Sequence, residues 1–210
     1  MLQKIKTTIG RQFVILCGLS ILLLPLNAVA EGYHITPIAG ERFGGEFEDF
    51  ATGSRLKLEE NESYGLIFGW EKDGGQFELQ YSLQPTQLSA SNTISDDVLI
   101  DIDVTNLLVA SRYPVKADSD MFYSVMGGIT HFDARKSNLS SDTRFALGVG
   151  AGVDFAATEG LGLRFELRGI ATFVDTDSGA FCNSTDNCPI VVDTSLLWQW
   201  ELLTGLSFRF

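Results

Sequence analysis

The stretch "LLWQWELLTGLSFRF", from Leu196 to Phe210, decides how the rest of the chain is read. Taken in steps of two from its end it gives Phe210, Phe208, Leu206, Thr204, Leu202, Trp200 and Trp198, while the skipped positions give Arg209, Ser207, Gly205, Leu203, Glu201 and Gln199. A period of two is that of a β-strand, whose successive side chains point to opposite faces of the sheet. One face here is apolar and the other mostly polar. The apolar face carries two Trp at one end and two Phe at the other, the layout of a barrel wall that crosses a hydrocarbon layer with an aromatic girdle at each interface.

The same period recurs upstream, so it organises the whole chain. In "SYGLIFGW", Tyr64, Leu66, Phe68 and Trp70 share a face. In "GQFELQYSLQ", Phe77, Leu79, Tyr81 and Leu83 alternate with Gln76, Glu78, Gln80, Ser82 and Gln84. "TRFALGVGAGVDF" sets Phe145, Leu147, Val149, Ala151, Val153 and Phe155 against Arg144, Ala146, Gly148, Gly150, Gly152 and Asp154. "LGLRFELRGIATF" sets Leu161, Leu163, Phe165, Leu167 and Phe173 against Gly162, Arg164, Glu166 and Arg168. "GYHITPIAGERFG", "VLIDIDVTNLLVASRY" and "MFYSVMGGITHF" complete a set of eight strands, with less separated faces.

The connections alternate between short and long. "EKDGG", "PVKADSD" and "ATEG" are short; "GEFEDFATGSRLKLEEN", "PTQLSASNTISDD", "DARKSNLSSD" and "DTDSGAFCNSTDNCPIVVDTS" are long and polar. That rhythm predicts an all-β fold, an eight-stranded antiparallel up-and-down transmembrane β-barrel with tight turns at one end and large loops at the other. A lipocalin-like barrel or a two-sheet sandwich in water is the alternative, and the aromatic strand ends argue against it.

The amino terminus supplies an address. Lys4, Lys6 and Arg11 precede an apolar run from Phe13 to Leu26, followed by "NAVA" with Ala28 and Ala30 at the small-residue positions of a signal-peptidase site. Residues 1–30 are thus expected to be a secretory signal peptide, and residues 31–210 the barrel. The run of about fourteen apolar residues is too short for the roughly 20 of a membrane-spanning helix. The full chain carries 15 Lys+Arg and 27 Asp+Glu. Removing residues 1–30 removes three basic and no acidic residues, leaving 15 − 3 = 12 against 27, a formal charge of −15. Nucleic acid is excluded as a partner by that surface. After signal cleavage Cys182 and Cys188 remain, and in an exported chain such a pair is expected to form a disulfide.

With signal peptide, eight alternating strands, alternating loop lengths and terminal "LSFRF", the chain resembles the small outer-membrane barrels of the OmpA, OmpX and OmpW type in Gram-negative bacteria. The resemblance implies an outer-membrane location with both termini periplasmic, a monomer, and contact with outer-membrane lipids and lipopolysaccharide. It also implies that Phe210, Phe208, Leu206 and Leu202 are read by the barrel-assembly machinery, with Thr204 a departure from the apolar pattern.

On the polar face, Glu78, Asp154, Glu166 and Glu201 balance Arg144, Arg164, Arg168 and Arg209. The interior of an eight-stranded barrel is just wide enough to be filled by side chains. These residues are therefore expected to form a sealed interior charge network with Arg164, Glu166 and Arg168 as its spine; a narrow gated ion path is the alternative. "GVGAG", Gly148–Gly152, lacks the spacing of a dinucleotide loop and is expected to make room for long side chains. His34 and His131 have no serine at a nucleophile–base spacing, so no catalytic residues, metal site or cofactor are expected. Glu46, Glu48, Asp49, Glu59, Glu60, Glu62, Asp96 and Asp97 make the outer loops acidic, a solvated surface or one bridged by divalent cations to lipopolysaccharide. The leading reading is a structural or surface-interaction barrel with no chemistry of its own. A small pore or a carrier for a small hydrophobic molecule comes second, and a lipid-modifying enzyme third.

Overall fold

A computed structural model describes residues 32–48, 55–72, 75–92, 95–116, 119–135, 140–174, 179–180, 190–191 and 196–210. Eight long strands make the wall: β1 (Tyr33–Gly44), β2 (Asn61–Lys72), β3 (Gly75–Asn92), β4 (Ser95–Pro114), β5 (Met121–Ala134), β6 (Asp142–Ala156), β7 (Leu161–Phe173) and β8 (Leu196–Arg209). Each pairs antiparallel with its neighbours in sequence, and β1 pairs with β8, so the sheet closes without an edge. The strands have 12 to 20 residues, more than the roughly 9–11 that a tilted strand needs to cross a bilayer. The fold is the closed eight-stranded antiparallel up-and-down transmembrane barrel that the alternation predicts.

The register gives the barrel's stagger. The pairing runs from Tyr33 through Trp70, Phe77, Ser111, Val125, Val149, Gly169 and Trp200 to Phe43. One circuit thus returns to β1 displaced by 43 − 33 = 10 residues. Such a stagger tilts the strands by about 35–45° and leaves a lumen filled by side chains. Two positions of the closing seam, Thr36 and Pro37, drop out of the register: β1 pairs with β8 at His34 and Ile35 and again from Ile38 onward. Pro37 has no N–H to offer there, and on the inner side Thr36 Oγ1 and Ser207 Oγ share a 2.8 Å hydrogen bond.

The outer face is the apolar one. Leu163, Phe165, Leu167, Val149, Leu107, Val109, Leu202 and Leu206 all stand exposed on it, as the two-residue period requires of a lipid-facing wall. Aromatics gather at both ends. At the short-turn end Tyr33, Phe68, Trp70 and Phe77 form a chain of ring contacts 5.9–6.0 Å apart, continued by Tyr113 and Tyr123 at 5.4 Å. At the long-loop end Trp198 and Trp200 stack at 6.3 Å, and Phe145 meets Phe173 at 5.8 Å.

Two expectations change here. "PTQLSASNTISDD" is not a long loop: β3 continues to Asn92 and β4 begins at Ser95, so the hairpin rises beyond the wall as paired strand with a register shift between Leu88 and Ser89. Arg55–Leu58 adds to β3, and Glu46–Glu48 adds to Arg55–Leu58. Gly44 and Gly45, at φ of 84° and 95°, take the left-handed backbone with which the chain leaves β1 for this extension. Polar, turn-like composition hid the strand because a sheet standing in water can carry polar side chains outside.

The second change follows. Above the bilayer the apolar side of a sheet must turn inward, as in a soluble domain, and it does: Asp101 and Asp103 point outward while Ile102 and Val104 are buried inside. With Leu56, Leu58, Leu88, Phe132, Ala134, Val174 and Leu197 they form an apolar cluster at the long-loop end of the lumen.

The disulfide expected between Cys182 and Cys188 is corrected. No disulfide occurs among the described residues, and both cysteines lie outside them. Closeness in sequence is not sufficient for the bond, which needs Cα atoms within about 7 Å and converging Cβ vectors.

Candidate functional site

The polar lumen is built from side chains of all eight strands. Its lower part lies toward the short turns and centres on Arg164 of β7, which is fully buried. Arg164 Nη1 and Nη2 donate to both oxygens of Glu78 at 2.6 and 3.0 Å, and its Nε and Nη2 donate to Glu166 Oε2 at 3.0 and 2.6 Å. Arg112 of β4 pairs with Asp154 Oδ2 at 2.5 Å and reaches Glu78 Oε1 at 3.4 Å. Both guanidinium groups lie over the ring of Phe122, 4.2 and 4.7 Å from its centroid. Phe122 thus offers an apolar, electron-rich floor to two cations already held by carboxylates. His34 is buried with its Nε2 3.5 Å from Glu78 Oε1.

The upper part centres on Glu201 of β8. Arg168 Nε donates to Glu201 Oε2 at 2.7 Å, Arg42 Nη2 lies 3.3 Å from Glu201 Oε1, and the Ser63 hydroxyl donates to Oε1 at 2.5 Å. Ser82 Oγ accepts from Arg42 at 2.6 Å and from Arg168 at 3.2 Å. Gln80 joins the two parts, accepting from Arg168 at 2.7 Å and donating to Glu78 at 2.8 Å. Above Arg42 a neutral layer follows, in which Gln84 donates to the Arg42 carbonyl at 2.9 Å and Thr130 bonds Asn106 and Thr172 at 2.8 and 2.9 Å. The apolar cluster closes the series.

Four arginines meet four carboxylates in this lumen. Glu78, Asp154, Arg164, Glu166, Arg168 and Glu201 are brought together as their inward parity requires, while the contacts described for Arg144 and Arg209 lie nearer the strand ends. Arg144 is half-buried near the outer end of β6, where its Nε donates to Asp142 at 2.8 Å. Arg209 is the last residue of β8, half-exposed beside Gly160 and Gly162. Their places are taken by Arg42 and Arg112. Both were legible by parity, since Arg42 shares the face of Thr36 and Ile38, and Arg112 that of Leu108 and Ala110; their strands alternate weakly in hydropathy, which obscured the signal.

The glycines of "GVGAG" do make room. A Cβ on Gly150 would stand 2.5 Å from Glu166 Oε1 and 2.6 Å from Ser124 Oγ. Gly150→Val is therefore expected to push Glu166 from Arg164 and to cost about 1–3 kcal/mol in a urea titration of the refolded barrel. Gly69 plays the same part for the His34 ring, which occupies the space a Cβ would need.

Of the other sequence candidates, His131 sits at the outer end of β5 with Nδ1 2.7 Å from Thr143 Oγ1. Glu59 accepts from Ser89, Glu60 lies 3.9 Å from Lys57 Nζ, and Glu62 accepts from the Tyr64 hydroxyl. Asp49 and the side chains of Glu48, Asp96 and Asp97 lie outside the described residues. Among the described residues no group of three His, Cys, Asp or Glu is placed to hold a metal ion. Leu202, Leu206 and Phe208 project outward from β8, and Phe210 follows its last residue.

No family model and no curated protein matches the chain. Solved structures do match it. Neisserial surface protein A (NspA) is 14% identical, with 86% of this chain and 98% of that one covered at a TM-score of 0.57. The outer membrane protein OprG from Pseudomonas aeruginosa is also 14% identical, with 86% and 97% covered at a TM-score of 0.55. In its closed meander, girdled wall and filled lumen, the chain has the fold of the small eight-stranded outer-membrane β-barrels, and it resembles these two proteins in that fold.

Proposed function

We propose that the protein is a sealed outer-membrane barrel with a structural or surface-interaction role and no chemistry of its own. The observation that carries this reading is the filled lumen: a charge network in which carboxylates are matched by arginines, a neutral hydrogen-bonded layer above it, and an apolar cluster at the outer end. An ion entering would have to break charge-assisted hydrogen bonds in a site of low dielectric. It would also have to cross an apolar layer that offers it no ligands.

The orientation and the export route belong to the same proposal. Residues 1–30 act as the cleaved signal peptide, residues 31–210 remain as the barrel, and both termini face the periplasm, which puts the raised β3–β4 hairpin outside the cell. Leu202, Leu206, Phe208 and Phe210 form the signal read by the barrel-assembly machinery, and the acidic outer surface faces lipopolysaccharide. The barrel works as a monomer.

Conductance tests the seal. The refolded mature chain, inserted into planar bilayers, is expected to give no steady single-channel steps; regular steps of defined conductance would overturn the reading in favour of a pore. Fractionation and heat-modifiable gel mobility check the location separately.

A further inference from the structure

Where the charge network meets the neutral layer, three buried polar atoms are satisfied by no protein group. Arg42 Nε, Asn106 Nδ2 and Gln199 Oε1 have no hydrogen-bond partner among the described residues, and their residues are at most 1% exposed, so bulk solvent does not reach them. Buried polar groups of native proteins are paired, with protein or with ordered water. The other two atoms in this condition, His34 Nε2 and Asp154 Oδ1, belong to the charged lower part of the lumen.

The three converge on the Arg42 guanidinium. Its Nη2 is spent on Ser82 at 2.6 Å and on Glu201 at 3.3 Å, and its Nη1 on the Val104 carbonyl at 3.4 Å, which leaves Nε. Ser82 is the register partner of Asn106, and Val104 is the neighbouring inward residue on the same strand as Asn106. Gln199 stands one inward position from Glu201 on β8. Its Nε2 donates at 3.4 Å to Gln84, whose own Nε2 donates to the Arg42 carbonyl at 2.9 Å. Asn106 Oδ1 accepts from Thr130 at 2.8 Å, so Nδ2 is the free end of that amide. Two donors and one acceptor, from β1, β4 and β8, are left around one guanidinium.

We propose that one ordered water molecule is bound here, accepting from Arg42 Nε and Asn106 Nδ2 and donating to Gln199 Oε1. The donor and acceptor set decides the ligand. A buried water makes about three hydrogen bonds to groups that lack other partners, and it can accept and donate at once. A chloride ion would take the two donors and leave the Gln199 oxygen bare; a sodium ion would take the oxygen and leave the donors. The charge network closes the site below and the apolar cluster closes it above, so the water tumbles with the barrel. The site rests on the proposed seal of the lumen, and it joins the charged part to the neutral layer.

NMR of the full mature barrel in detergent micelles tests it through dipolar cross-peaks between water and side-chain amides. The Asn106 amide is expected to show a water cross-peak of the same sign as intramolecular contacts in NOESY and of opposite sign in ROESY, the mark of a water that tumbles with the protein and not of proton exchange. In Asn106→Leu the water peak at the Gln199 amide is expected to fall about fivefold or more. Gln199→Met, read at Asn106, makes the same test from the acceptor side, and heat-modifiable mobility shows whether each variant keeps its wall. Absence of the peak at both amides of the unsubstituted barrel, or peaks unchanged in both variants, would overturn the proposal. So would a peak that appears only when chloride is replaced by a large organic anion, since that would mark chloride as the occupant. Conductance steps in planar bilayers would overturn the seal itself, whereas a barrel without steps and without the water peak would overturn the water site alone.

Discussion

Arg164→Met is expected to lower the unfolding free energy of the barrel by about 3–5 kcal/mol, because it leaves buried carboxylates without the cation that holds them. Arg164 donates to both oxygens of Glu78 and to Glu166. Without it, Arg112 at 3.4 Å and His34 at 3.5 Å remain beside Glu78, but among the described residues Glu166 keeps only the Ser124 hydroxyl at 3.3 Å. Urea titration of the refolded protein in vesicles would read the change as a lower midpoint at constant slope. Adding Glu166→Gln to Arg164→Met is expected to recover part of the loss, since the stranded charge goes with it. A loss below about 1 kcal/mol in the single variant would mean that water reaches the lumen and screens the pair. Arg209, half-exposed at the end of β8, provides the contrast: Arg209→Ala is expected to stay within about 1 kcal/mol.

Phe165→Arg should cost about 2–4 kcal/mol by the opposite mechanism, placing a charge in hydrocarbon instead of removing one from the lumen. Phe165 is 44% exposed on the outer wall, between Val153 of β6 and Thr204 of β8 in the register, and its ring meets Phe155 edge-on at 6.2 Å. The same titration in vesicles, compared with Glu159→Arg in the turn between β6 and β7, isolates the membrane contribution. Glu159 is exposed in that turn, and its replacement is expected to stay within about 0.5 kcal/mol. A neutral result at Phe165 would show that the ring faces something other than lipid.

The wall and its two faces could be read from the sequence because the period of two is a local property. In "GQFELQYSLQ" each Cβ points opposite to its neighbour whatever the strand pairs with, so Leu79 faces lipid and Glu78 the lumen as soon as one face is known to be greasy. Parity likewise placed Arg164, Glu166, Arg168 and Glu201 inside. It could not tell that Arg144 and Arg209 stand near strand ends while Arg42 and Arg112 reach the network, since parity gives a face and not a height. Nor could it find the inversion along β4, where Leu107 and Val109 face lipid but Asp101 and Asp103 face water. Both kinds of strand alternate, and which face must be apolar depends on whether the surroundings are hydrocarbon or water.

The sequence by itself thus determined the eight wall strands, their lipid-facing side within the membrane, and six of the eight charges that meet in the lumen. Only the closed tertiary structure decided which of those charges meet. Arg164 and Glu78 are 86 positions apart and come to 2.6 Å because the sheet returns on itself ten residues out of step. That stagger is a property of the whole circuit of eight pairings, and no window along the chain contains it. A shallow groove on the outer wall over the β1–β8 seam has the same origin: Ala39 and Thr204 become neighbours when the first strand meets the last, and the low floor they make together exists only once the barrel has closed.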